Sequence, residues 1–288
     1  MGTFIDNPMM PIIVAGLVSG IGCALLRILV ASSVVNGLAP PAVFLAVYYA
    51  TYQKVPGFPA VGATNKLFYI ALFTALPATS LVRKSAGALR RAVLASATSV
   101  LVAIWIAAPR LSQPDPMLFA WIAGVAVGGA VVLWLLDRIV RDSKGTPREA
   151  LALSFLGATA VAFAPVALFG GSSTSLGLCL GFAAALGVVS LAALLRPDPV
   201  GHAAVLAGGA CLAGVVDTVV LITQRADPIA LTLVILPAFL GTGVSSLLPE
   251  NLRKRAVLVW LISGICALAP LPLIVALLFL RHESPLGT

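Results

Sequence analysis

Apolar runs long enough to cross a lipid bilayer recur along this chain from one end to the other, and that recurrence sets the fold class. A hydrocarbon layer of roughly 30 Å needs about 20 apolar helical residues. Such runs occupy 12–34, 38–55, 60–82, 92–109, 117–136, 150–170, 176–195, 202–223, 229–248 and 256–280. In lipid, backbone groups must be satisfied within the segment, so each run is expected to be a helix. The expected fold is all-α: a polytopic transmembrane helical bundle of about 10 helices, arranged as repeated helical hairpins in one integral membrane domain over residues 1–288.

Composition points the same way. Of 288 residues 60% are apolar and only 10% are charged. A soluble domain usually carries about a quarter charged residues. So few charges cannot cover a water-facing surface, and no polar stretch is long enough for a separate soluble domain. The net charge of +8 resides in short loops between apolar runs, so it reads as a topology signal and not as a nucleic-acid surface. No basic residue precedes the first run, which argues for a retained first span and against a cleaved signal. Cys23, Cys179, Cys211 and Cys266 lie singly in separate runs with no CxxC, as small packing residues do.

Loop charge predicts the orientation. The segments 83–91, 137–149, 196–202 and 249–255 carry twelve Lys/Arg, whereas the opposite loops carry five: Lys54, Lys66, Arg110, Arg225 and Arg281. The richer side is expected to be the cytoplasmic face of a bacterial-type inner membrane, with both termini outside. Trp105 and Trp121 fall near the outer ends of their spans and Trp134 and Trp260 near the inner ends, an aromatic-belt pattern. The second run holds Pro40 and Pro41 and is expected to be short, interrupted or re-entrant. A weak repeat relates 60–109 to 229–280. In the first, IAL, LPA, SL and LRRAVL follow in order; in the second, IAL, LPA, SL and LRKRAVL do. Small-residue pairs at Gly16-x3-Gly20, Gly124-x3-Gly128 and Gly177-x3-Gly181 let helix backbones approach closely. Packing is their first expectation, and a thin groove lined by backbone the alternative.

Ionisable groups inside the membrane cost about 2.5–3.5 kcal/mol each on insertion scales, so they point to function. Arg27 and Asp217 lie within apolar runs. Asp217 is a candidate proton or cation site and Arg27 a candidate anion site; snorkelling or helix capping is the plainer role of each. At 1.5 Å per residue their depths differ by roughly 10–12 Å, which disfavours a direct pair. A second cluster, Tyr48, Tyr49, Tyr52 and Gln53, forms either an aromatic belt or a polar vestibule. Pro77 and Pro237 are hinge candidates, with packing kinks as the simpler reading.

His202 and His282 stand alone, with no metal-ligand spacing, phosphate-binding loop or polar catalytic set around them. No cofactor, metal or enzymatic activity is expected. The stretch from Leu236-Pro237-Ala238-Phe239 through Leu247-Leu248-Pro249-Glu250 loosely resembles the penultimate hairpin of drug/metabolite-type permeases with ten helices. The outside termini and the six-span repeat offset depart from that pattern, so the resemblance assigns no family.

The expected function is gradient-driven passage of a small molecule or ion, by a permease with no nucleotide-binding domain of its own. The alternatives are a non-transporting subunit that scaffolds a membrane-protein partner or homo-oligomer, and a lipid-modifying membrane enzyme.

Overall fold

The computed structural model describes residues 9–30, 33–83, 87–113, 115–142, 148–195, 201–247 and 256–281. Among these there is no strand. The helices are α1 (Met10–Leu29), α2 (Ser33–Tyr52), α3 (Ala63–Arg83), α4 (Ala88–Ala107), α5 (Pro116–Asp142), α6 (Arg148–Phe169), α7 (Ser173–Leu195), α8 (Gly201–Asp217), α9 (Pro228–Leu233), α10 (Leu236–Leu247), α11 (Ala256–Leu268) and α12 (Pro270–Arg281). A 3-10 turn, Ala108–Arg110, extends α4, and a π-helical stretch, Thr218–Thr223, extends α8.

Among the described residues seven helical spans are long and apolar enough to cross a membrane: α1, α4 with its 3-10 turn, α5, α6, α7, α8 with its π stretch, and α11–α12 together. The helices also fall at the ten expected places, but not every proline marks a break. The expectation that the second run is interrupted is incorrect, because α2 is one continuous helix through Pro40 and Pro41. Pro40 is accommodated by Gly208 of α8, where an added Cβ would come within 2.9 Å of the Pro40 ring. The breaks lie in the ninth and tenth segments instead, at Val234–Ile235 and Ala269.

Helices α6 and α8 form the buried centre, flanked by α2 and α7, and the rest surround them. The small-residue stripes set the closest approach. A Cβ at Gly16 would lie 2.2 Å from the Gly181 carbonyl oxygen, and one at Gly20 would lie 2.9 Å from that of Ala185. Gly16 and Gly20 thus step along α7 in register, so α1 and α7 run parallel. Facing away from α7, α1 exposes Val14, Leu17, Val18, Ile21 and Leu25. A continuous apolar face of this kind suits hydrocarbon and not water.

Charged side chains gather at the two ends. At one end Arg91 of α4, Asp137 of α5 and His202 of α8 meet. At the other, Lys66 donates to the Trp105 carbonyl, Arg110 donates to the Ile222 carbonyl at 2.8 Å, and Arg281 pairs with Asp227 at 2.9 Å. Each of these last three cations meets a helix terminus, where unsatisfied backbone groups need partners. Residues 84–86, 143–147, 196–200 and 248–255, which hold much of the expected cytoplasmic charge, lie outside the described residues, as do both chain termini.

Candidate functional site

The buried carboxylate of Asp217 lines a groove of about 460 Å³ between α5, α8 and α9 with α6 behind it. Its walls follow from three features of sequence. Glycines line α5 at Gly124 and Gly128; an added Cβ at Gly124 would meet nothing within 4 Å, and one at Gly128 only the Ile235 side chain at 3.7 Å. The expectation that this pair packs against another helix is therefore incorrect at Gly124. The glycines open a groove, whereas those of α1 and α7 close an interface.

Second, one helical irregularity follows Asp217 directly in the chain and another lies on the groove wall. The π stretch begins at Thr218, directly after Asp217, and the α9–α10 break places Val234 and Ile235 on the wall. A π turn widens the helix and removes i→i−4 bonds, and such turns recur at functional sites. The Thr218 hydroxyl donates to the Gly214 carbonyl at 2.8 Å, and that of Thr223 to Val219 at 2.6 Å, so local side chains satisfy carbonyls around the irregular stretch.

Third, the hydroxyls on the wall are already engaged, whereas the Asp217 carboxylate is not. The Thr159 hydroxyl donates to Phe155 at 2.8 Å and that of Thr232 to Ile229 at 2.7 Å, both within their own helices. Asp217 is 2% exposed, and its Oδ2 has no hydrogen-bond partner among the described residues. Among the described residues no cationic side chain lines the groove. An unpaired carboxylate in apolar surroundings is costly, and the cost is relieved by a proton or by a cation that enters.

The groove reaches from Met117 in the first turn of α5 to Leu133, about 24 Å at 1.5 Å per residue. Beyond Leu133 it is shut. Leu133 packs against Gly209, and one turn further Asp137 accepts from Arg91 at 3.4 Å and contacts His202. Three helices, α4, α5 and α8, are joined there.

The other predicted residues sit elsewhere. Arg27 is 1% exposed and continues the buried stripe of Ile12, Gly16, Gly20 and Ala24 on α1 toward the end that holds Asp137. It and Asp217 do not share a site, as their difference in depth implied. A cation in the last turn of a helix also complements the carbonyl end of the helix dipole.

Tyr48 is buried and Tyr52 half-buried; their rings lie 4.6 Å apart, and Tyr48 stacks on Phe68 at 5.7 Å. Phe68, Tyr69, Phe73 and Trp105 extend this cluster. It is a packed aromatic layer at the end opposite Asp137. Tyr49 is exposed, and Gln53 ends α2 in a left-handed conformation (φ 50°), where its N–H bonds to Tyr49 at 2.7 Å. Pro77 lies within continuous α3, but its side chain is outside the described residues. Pro237 is the second residue of α10, a position where a missing N–H is tolerated. The Val234–Ile235 break lies directly before this helix.

Sequence reasoning read Trp121 only as part of an aromatic belt, and it did not single out Thr159 or Thr232 on the groove wall, nor the Asp137–His202 contact. One signal was present: Asp137 is four residues before Arg141 at the end of an apolar run, facing a basic loop. Among the described residues no three His, Cys, Asp or Glu side chains converge as a metal site would require.

The fold defines a helical membrane protein. No protein-family model matches the chain, and no curated protein matches it significantly.

Proposed function

We propose that this chain is a gradient-driven transporter of a small solute, with the Asp217 groove as its binding site. The observation that carries this reading is the unpartnered carboxylate in an apolar groove, next to a π-helical stretch in its own chain segment and facing the α9–α10 break on the wall. Transporters build their sites from irregular helices inside the bundle, because non-helical backbone is tolerated only where it lines a cavity. In this reading the chain crosses a bacterial-type inner membrane ten times, with the basic end cytoplasmic and both termini outside. The protein carries no catalytic activity of its own. Proton occupancy of Asp217 couples movement of the solute to the proton gradient. Closure at Leu133–Gly209 and Asp137–His202–Arg91 makes the described conformation one in which the groove is sealed from the basic end.

The test is proton movement in proteoliposomes that hold a pH-sensitive dye. Addition of a transported solute from a panel of amines, organic acids and sugars moves protons in wild type, and Asp217→Asn abolishes that response. An unchanged response in Asp217→Asn excludes Asp217 as the coupling site.

A further inference from the structure

The groove states what kind of ligand it can hold. Its volume of about 460 Å³ is within the range of pockets that hold small organic ligands. Apart from Asp217 the wall offers hydrocarbon, the Trp121 ring and helix backbone. Thr159 and Thr232 spend their hydroxyl protons on their own helices. An anion would find no cationic partner. A sugar would exchange many bonds to water for one open acceptor and one indole N–H. A ligand that enters without such losses has an apolar body and a single positive charge, and the Trp121 face adds attraction for that charge.

We infer that the Asp217 groove binds a monovalent organic cation with an apolar body, a hydrophobic amine or quaternary ammonium ion, in exchange for one proton. The exchange balances: the protonated carboxyl gives its proton to water, and the resulting carboxylate pairs with the incoming cation. Proton and cation occupy the same carboxylate, so each excludes the other. The inference rests on reading the groove as the solute site, but it concerns occupancy and not passage, so binding and flux separate the two.

The experiment uses the full chain in lipid nanodiscs and equilibrium dialysis of radiolabelled benzyltrimethylammonium, with neopentylbenzene as its neutral isostere. The expected result is saturable binding of one cation per chain, release of one proton per cation, and weaker binding as pH falls. Neopentylbenzene competes at least tenfold less well. Asp217→Asn weakens binding at least 100-fold and releases no proton. Gly124→Leu fills the groove from the opposite wall, where a Cβ meets nothing within 4 Å, and weakens binding at least tenfold while the protein melts as wild type does. Wild-type affinity in Asp217→Asn, equal competition by the neutral isostere, or no saturable binding by folded wild type overturns the inference. Cation binding without flux in liposomes upholds it and removes the transport reading. Asp217-dependent flux of another solute, with no cation bound, removes the inference and leaves transport standing.

Discussion

Replacing Gly16 by alanine tests the close backbone approach of α1 to α7. The added methyl would lie 2.2 Å from the Gly181 carbonyl oxygen and 2.8 Å from its carbon. An ordinary carbon–oxygen contact is about 3.3 Å, so α1 and α7 must part by about 1 Å. A gap of that size forfeits a quarter to a half of the dispersion energy along the seam, and overpacking of this kind costs about 1–3 kcal/mol. In lipid no hydrophobic effect between helices compensates, because association there depends on close packing. Gly22 is the internal control. It is on the same helix, is exposed, and an added Cβ meets nothing within 4 Å. Gly22→Ala gains up to about 1 kcal/mol of helix propensity with no clash. Unfolding by SDS titration in mixed micelles, followed by tryptophan fluorescence, should therefore place Gly16→Ala below Gly22→Ala by about 1–3 kcal/mol. Equal stability of the two variants would refute the assignment of this seam.

Asp227 joins two helix ends: its Oδ1 accepts from the N–H groups of Ile229 at 2.8 Å and Ala230 at 3.0 Å, and its Oδ2 from Arg281. Burial pushes this carboxyl upward, but the bonds from Ala230, Arg281 and Ile229 outweigh it and hold the carboxyl below its ordinary value. Its contribution to stability is thus complete above the ordinary carboxylate range, about pH 3.9, and is lost as pH falls through the lower folded value. Asp227→Ala should cost about 1–2 kcal/mol at neutral pH through the lost cap, the half-exposed Arg281 adding little, and its Tm should fall less steeply in acid than that of wild type. Ser190 receives the Trp260 indole N–H at 2.7 Å and donates to the Ala150 carbonyl at 2.6 Å. Ser190→Ala should lower stability by about 1 kcal/mol or more by orphaning the indole N–H, which the same SDS titration reads. Asp137→Ala removes the joint between α4, α5 and α8 and should make the basic end of the groove more accessible to hydrogen exchange; unchanged exchange in α5 and α8 would count against a seal there.

The fold class and the places of the helices were legible because hydrocarbon thickness fixes the length of each apolar run. Helix continuity was less legible. Proline alone does not decide it: Pro40 lies inside a continuous helix packed on Gly208, whereas the ninth and tenth segments break just before Pro237 and Pro270. Asp217 was readable because a lone acid in an apolar run has no cheap explanation. Its groove was not, since Gly124-x3-Gly128 and Gly16-x3-Gly20 have the same spacing and opposite outcomes. What separates them is the partner surface across the helix, and that is set by residues far away in the chain. The tyrosines show the same limit: Tyr48 and Tyr52 share one helical face and pack, whereas Tyr49, one residue away, faces outward.

The central claim is that the groove serves both sides of a membrane in turn. Cysteine at position 124, in a chain whose four native cysteines are replaced, places a thiol on the open wall of the groove. Membrane-impermeant maleimide is then applied separately to each face of reconstituted vesicles, with and without a proton gradient. A transporter exposes position 124 to each face in turn, and the gradient shifts the balance of labelling between them. Labelling from one face alone under every gradient contradicts the account.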